Sequence, residues 1–316
     1  MKKNILIVRF SSLGDIVLTT GIIKYIKTHV ENIEIDFLTS SHFAGILQDF
    51  PYIRNVYTIN KGDNISKLNN VISNMPEYDM VFDLHRNIRS FFTRFIISSK
   101  SYVYKKDSFK RRMFVKYRFF KSNLKEHTVT KYFKPFMKAF NLDMPNINEI
   151  KPYLVNNFYK VSGSKRVIIH PFASKNTKIW PFFKELAEGL IDDGINVIFI
   201  GDGKMDLPLH AVDKTGKISF AALMQHISQG DVLITTDSGP MHIGNALNIP
   251  TIAIFGPTTK ELGFYPEFEN TKVIEYIGLK CRPCHIHGSD KCPKKHFKCM
   301  IDIGVEEVRY HINSML

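Results

Sequence analysis

Asn4-Ile5-Leu6-Ile7-Val8-Arg9-Phe10-Ser11-Ser12-Leu13-Gly14-Asp15 is the stretch whose reading decides the architecture. Ile5, Leu6, Ile7 and Val8 run on without the alternation of a half-exposed strand. The strand over 4–9 is therefore buried on both faces. Ile16, Val17, Ile23 and Ile26 then carry helical spacing over 14–30. A buried strand that empties through a short polar loop into a helix is the opening of a strand–helix–strand unit.

The same alternation continues outward. Strands are expected over 33–38, 55–59 and 78–84, and helices over 41–50, closed by Pro51, and 87–98. Between Tyr104 and His127 the pattern gives way to a strongly basic run, and a helical pattern follows over 127–140. The stretch 141–164, with Pro145, Pro152, Gly163 and several Asn, has linker composition. Alternation then restarts, with strands over 166–170, 195–200, 231–235 and 251–255. Helices are expected from Trp180-Pro181, over 219–229, after Gly239 and over 305–315. Pro181 is tolerated in a first helical turn, where its missing N–H costs nothing. The expected fold class is therefore α/β: two Rossmann-like domains, 1–155 and 156–316, with a ligand cleft between them and a last helix free to pack back on the first domain. Ligands of open parallel sheets bind beyond the carboxyl ends of the strands, so the loops after each strand are the places to look.

Composition narrows the partners. The 316 residues carry a formal net charge of +13, which favours anionic partners: phosphorylated substrates, an anionic membrane surface or nucleic acid. The basic residues form no recognised nucleic-acid-binding module, so nucleic acid is not expected. No apolar run reaches the length that spans a bilayer, and only four apolar residues separate Asn4 from Arg9, too few for a secretory leader. The chain is expected in the cytoplasm.

Three loops carry chemistry. The first, Arg9 to Asp15, is neither a G-x-G-x-x-G fingerprint nor a P-loop, but it sets small polar residues and one carboxylate at a strand mouth. Asp15 there either deprotonates a bound hydroxyl or caps the helix. The second, His170 to Pro181, brings hydroxyls, Lys175 and Lys178 ahead of a helix; it suits a phosphate or is an ordinary polar connection. The third, Thr235-Thr236-Asp237-Ser238-Gly239-Pro240-Met241-His242, opens a helix whose N-terminus suits a diphosphate. His242 faces the same space or is a satisfied core histidine.

Ser11-Ser12-Leu13-Gly14-Asp15-Ile16-Val17-Leu18-Thr19, Lys178-x-Trp180-Pro181, Thr236-Asp237-Ser238-Gly239-Pro240-Met241-His242 and Ile254-Phe255-Gly256-Pro257-Thr258 together resemble the bacterial ADP-heptose:lipopolysaccharide heptosyltransferases, particularly those that add the second heptose. The four motifs stand in the family's order and span nearly the whole chain. The resemblance implies a B-type glycosyltransferase fold, inversion at the anomeric carbon, no cofactor and no metal requirement. It makes Asp15 the general base and Lys178 a ligand of the donor phosphates, with Ser174 beside them. Asp237, Ser238, Gly239 and His242 become the donor loop. Ser12 and Gly14 are assigned to the acceptor. Arg86 and Arg89, read from their place just after the strand over 78–84 and not from the resemblance, either bind the acceptor's carboxylates and phosphates or belong to a solvated charged face. The implied partners are ADP-heptose, a lipid A–Kdo or heptosylated core acceptor and, peripherally, the anionic inner face of the inner membrane. Two positions depart from the pattern: Gly201-Asp202-Gly203-Lys204-Met205 lacks a glutamate that some relatives use for the ribose, and Ile218 stands where relatives carry Met.

Two further features stand outside these motifs. Phe109 to Phe120 is basic and aromatic, a composition suited to an anionic membrane surface. Cys281-x2-Cys284-x7-Cys292-x6-Cys299 has one C-x-x-C pair compatible with zinc but not the spacing of a standard ribbon. Two readings compete with heptose transfer: a B-type transferase with another donor or acceptor, and a nucleic-acid-binding or non-catalytic nucleotide-binding protein.

Overall fold

The computed structural model describes residues 2–121, 124–158, 163–216 and 218–316. Two compact units emerge: Met1–Lys106 with His127–Val155, and Asp107–Glu126 with Asn156–Leu316. Both are α/β with a wholly parallel sheet, and together they are the two Rossmann-like domains of a B-type glycosyltransferase.

The first unit contains β1 (Lys3–Val8), α1 (Leu13–His29), β2 (Ile33–Ser40), β3 (Asn55–Ile59), α2 (Ile65–Ser73), β4 (Met80–Asp83), α3 (Ile88–Ile97) and β5 (Lys100–Val103). The sheet order is β3-β2-β1-β4-β5. The chain thus winds outward one way from β1 and then restarts on its other side at β4. Loops leaving β1 and β4 part at this switch point, the crevice where doubly wound sheets place ligands. Residues 41–50, expected to be helical, make only a 3-10 stretch over Ser41–Ile46. The Ser41 hydroxyl donates to Asn60 Oδ1 at 2.5 Å, tying the start of this stretch to the loop after β3.

The second unit opens with α4 (Ser108–Tyr117), while α5 (Thr128–Phe140) returns to the first, stacking Phe136 on Phe82 with centroids 4.1 Å apart. The basic run 107–126, placed by sequence in the first domain, therefore folds with the second. Phe114 and Leu124 pack on Leu262, and Lys121 pairs with Glu261 at 3.4 Å. Of the linker, 159–162 lie outside the described residues; Tyr153 N–H donates to Thr20 Oγ1 at 3.0 Å, tying the preceding chain to α1.

The second sheet runs β11-β10-β9-β6-β7-β8. Its strands are β6 (Arg166–His170), β7 (Asn196–Gly201), β8 (Val212–Thr215), β9 (Val232–Thr236), β10 (Thr251–Phe255) and β11 (Thr271–Glu275), with helices α6 (Phe183–Asp192), α7 (Phe220–Ser228) and α8 (Gly239–Ala246) between them. Here the switch falls between β6 and β9. Pro181 precedes α6 by two residues and lies in a turn, not in the helix. After the short α9 (Lys298–Ile301), α10 (Val305–Met315) buries Val308 and Ile312 with Leu186 and Leu190 of α6. Arg309 also grips Asp193, with a shortest separation of 2.7 Å. The last helix, which the sequence left free to pack on either domain, is thus part of the second unit's core.

Candidate active site

At the mouth of β1, Asp15 is the third residue of α1 and is almost fully buried. Its Oδ2 accepts from Ser12 N–H at 3.1 Å and Ser12 Oγ at 2.8 Å and pairs with Arg9 Nη2 at 2.6 Å. Its Oδ1 accepts from the Tyr132 phenol of α5 at 2.5 Å. Burial pushes the Asp15 carboxyl up, but the Arg9 guanidinium, Tyr132 and Ser12 outweigh it and hold it at about 2. Asp15 therefore closes the capping box of α1 and presents an ionised carboxylate at the mouth of β1. Arg9 is itself buried, its remaining N–H groups donating to the carbonyls of Ser11 and Leu84.

The adjacent mouth of β4 is organised by Asp83, whose Oδ1 accepts from His85 N–H at 3.0 Å and Arg86 N–H at 2.7 Å. This holds Arg86 at φ 53°, a left-handed backbone few non-glycine residues adopt. Lys106 Nζ donates to the Arg86 carbonyl at 2.9 Å, leaving the Arg86 side chain exposed. Arg89 behaves differently: its guanidinium donates to the carbonyls of Asn60, Lys61 and Asp63 and fastens the loop between β3 and α2. His85 is pushed down to about 4 by burial and by the charges of Arg9 and Lys106, so its ring is neutral at pH 7, and its buried Nδ1 makes no hydrogen bond.

The second unit mirrors this layout at β6 and β9. Lys178, buried, pairs through Nζ with Asp237 Oδ2 at 2.7 Å, and Thr258 Oγ1 donates to the same oxygen at 2.7 Å. Burial raises the Asp237 carboxyl, but the Lys178 charge and hydrogen bonds from Lys178 and Thr258 bring it below its ordinary value. Ser238 precedes α8 as its N-cap, yet its hydroxyl turns to Thr235 Oγ1 at 3.1 Å instead of capping the helix. Gly239 opens α8, and the buried His242 lies in the first turn near Asp237. Ser174 is exposed on the loop after β6. A cation, a hydroxyl and a helix N-terminus at two adjacent strand mouths form an anion-binding arrangement.

The family model for glycosyltransferase family 9 (heptosyltransferase) matches residues 74–293. The chain belongs to glycosyltransferase family 9. It is 27% identical to lipopolysaccharide heptosyltransferase 1 of Campylobacter coli, over 91% of this chain and 94% of that one. Against lipooligosaccharide heptosyltransferase 2 of Campylobacter jejuni the identity is 26%, over 96% of both chains. Among solved structures it shares its fold with a glycosyl transferase family 9 protein from Veillonella parvula, with a TM-score of 0.77 at 19% identity over 100% of this chain and 98% of that one. The E. coli ADP-heptose lps heptosyltransferase II superposes with a TM-score of 0.71 at 19% identity, with the same coverage.

As a family 9 glycosyltransferase, the chain draws on a nucleotide-sugar donor. Several residues that shape its two strand mouths were not singled out by sequence. Tyr132 stands 117 positions from Asp15 and looks like one more apolar residue of α5. Thr258 lay inside a recognised motif, but its bond to Asp237 is a tertiary fact. At the departure after β7, a Cβ on Gly203 would fall 2.5 Å from the Phe172 ring; the backbone there packs directly on the loop from β6. The four cysteines are free thiols, and among the described residues no three Cys, His, Asp or Glu side chains converge to hold a metal ion.

Proposed function

We propose that this chain moves L-glycero-D-manno-heptose from ADP-heptose to the inner core of a lipopolysaccharide, with inversion, taking Kdo or a first heptose as acceptor. One arrangement supports the reading above all: Lys178, Asp237 and Thr258 are joined at the N-terminus of α8. In this reading the donor diphosphate lies against Lys178, Ser174 and the backbone donors of the Ser238–Gly239 turn, with His242 beside the sugar. Ser12, Gly14 and Arg86 receive the acceptor. Arg86 takes the acceptor's carboxylate or phosphate in place of Arg89, whose guanidinium is spent on backbone carbonyls.

The acceptor oxygen attacks the anomeric carbon from the face opposite ADP. A carbon–oxygen bond forms, the bond from carbon to the β-phosphate oxygen breaks, and ADP leaves with the electron pair. Asp15 takes the hydroxyl proton. A carboxylate held at about 2 is a weak base, so proton transfer trails bond formation, when the attacking oxygen has become acidic. Lys178 and the α8 N-terminus meet the charge that grows on ADP.

The chain works on the cytoplasmic side of the inner membrane as a peripheral protein. Residues 105–121 support this: they hold eight basic side chains and one acidic one, and Phe109, Tyr117, Phe119 and Phe120 are exposed among them. Among the described residues no helix is long and apolar enough to cross a membrane.

The test is a donor comparison by calorimetry with ADP, ADP-heptose, UDP and GDP, with and without magnesium. Selective binding of the adenine nucleotides that is lost in Lys178→Ala is the expected result, followed by heptose transfer to a heptose-deficient core. Preference for UDP or GDP would discard ADP-heptose while keeping a family 9 transferase.

A further inference from the structure

Between β11 and α9, residues 276–297 form neither strand nor helix, yet this segment is bound tightly at two points. The first is Arg282, whose side chain is 6% exposed. Its guanidinium donates to the carbonyls of Phe255 at 3.3 Å, Thr258 at 3.0 Å and Tyr276 at 2.6 Å, to the Gly256 carbonyl, and to Glu275 Oε2 at 2.6 Å. Cys284 N–H adds a bond to the Pro257 carbonyl at 3.1 Å. This end of the segment therefore holds the whole turn that carries Thr258.

The second point is Ser289. Its carbonyl accepts from Thr177 Oγ1 at 2.7 Å and Thr177 N–H at 3.0 Å, and its N–H donates back to Thr177 Oγ1 at 2.8 Å. Beside it, Gly288 sits at φ 79°, and a Cβ there would stand 2.8 Å from Lys178 Cγ and 2.9 Å from Cδ. The backbone of Gly288 is thus one wall of the slot in which the Lys178 side chain lies.

The two anchors close a circuit. Lys178 meets Asp237, Asp237 meets Thr258, and the Thr258 turn is held by Arg282. The chain from Arg282 to Ser289 then returns to Thr177, next to Lys178. We infer that residues 282–289 form a strap that sets the position of Lys178 for the donor phosphates, directly at Gly288 and through Thr258 and Asp237, with Arg282, Gly288 and Thr177 as positioning residues. The inference rests on the reading of Lys178 as a phosphate ligand. A compact cation on a four-carbon stem has many rotamers, and a wall that removes most of them before the ligand arrives lowers the cost of ordering it.

The experiment is ADP titrated calorimetrically into the full chain and four variants, Lys178→Ala among them, with donor KM and kcat measured alongside. Thr177→Val removes both side-chain bonds to Ser289 at nearly constant volume, and Thr177→Ser keeps them. Gly288→Ala pushes a methyl group into the Lys178 slot. Hydrogen bonds of ordinary strength predict ADP binding and donor KM about three- to tenfold weaker in Thr177→Val. Thr177→Ser should stay close to wild type, and kcat at saturating donor should change less than KM. Gly288→Ala should weaken ADP at least as much as Thr177→Val; should it fail to fold, the Thr177 pair decides. Wild-type-like ADP binding in Thr177→Val, with Lys178→Ala still defective, would overturn the strap and leave the donor site standing. A wild-type protein that does not bind ADP would overturn both.

Discussion

Asp15 stands under opposing influences. Burial alone would push its carboxyl up, whereas Arg9, Tyr132 and Ser12 bring it to about 2. A carboxyl depressed in the folded state contributes stability that is fully present above its unfolded value, near 4, and is lost as pH falls through about 2. A difference of roughly two pH units corresponds to about 2–3 kcal/mol. Urea unfolding followed from pH 5 to pH 2 should therefore show a component that disappears in Asp15→Asn; an unchanged pH slope would mean that Arg9 does not hold the carboxylate in solution. The same variant should lose about 10²- to 10⁴-fold in turnover, the usual contribution of a general base, while calorimetry shows ADP binding unchanged. Activity that survives the substitution would remove Asp15 from the mechanism.

At the scale of elements, α1 shows how closely the first unit is packed. A Cβ on Gly21 would lie 1.8 Å from the Lys151 carbonyl oxygen and 2.5 Å from its carbon. Backbone cannot yield as a flexible side chain does, so Gly21→Ala must displace the 150–153 segment from α1. Overpacking of this kind costs about 1–3 kcal/mol or more, and the expected outcome is a fall in urea midpoint of that size; an unshifted midpoint would show that the segment is loosely held. Three strands that sequence reasoning missed share a cause. The strands β5, β8 and β11 lie at sheet edges and are short, with few buried side chains. Edge strands lack the continuous apolar run that betrays a central one. The helix α2 was missed as well, although Asn64 caps it by accepting from Lys67 N–H at 3.0 Å.

For the whole molecule the controlling quantity is charge. Residues 105–121 account for more than half of the formal net charge of +13, and they surround exposed aromatic rings. Attraction to an anionic surface should then weaken with salt, since exposed charges are screened over about 10 Å at 0.1 M ionic strength. The prediction is co-sedimentation with vesicles containing anionic lipid but not with neutral vesicles, lost by about 0.5 M salt and reduced in Lys110→Glu/Arg112→Glu/Lys116→Glu. Equal binding to neutral vesicles would assign the contact to the aromatic side chains, and no binding to either would remove the membrane contact.

The central strands, most of the helices that follow them and the polar loops at the strand mouths were legible in the sequence. Unbroken apolar runs such as Ile5-Leu6-Ile7-Val8 and polar loops such as Thr235 to Gly239 are local signals, set by burial and by backbone freedom. The family motifs brought Asp15, Lys178 and Asp237 into view for the same reason, each lying within a few residues of its motif partners. What only the tertiary structure decided are the partnerships across long separations. They include Tyr132 on Asp15, Thr258 on Asp237, Arg89 spent on the loop after β3, Ser289 on Thr177, and α4 folding with the second unit. Hydrogen bonds and ion pairs between distant positions leave no periodicity in a single chain, because they depend on where the sheets carry each residue and not on what precedes or follows it.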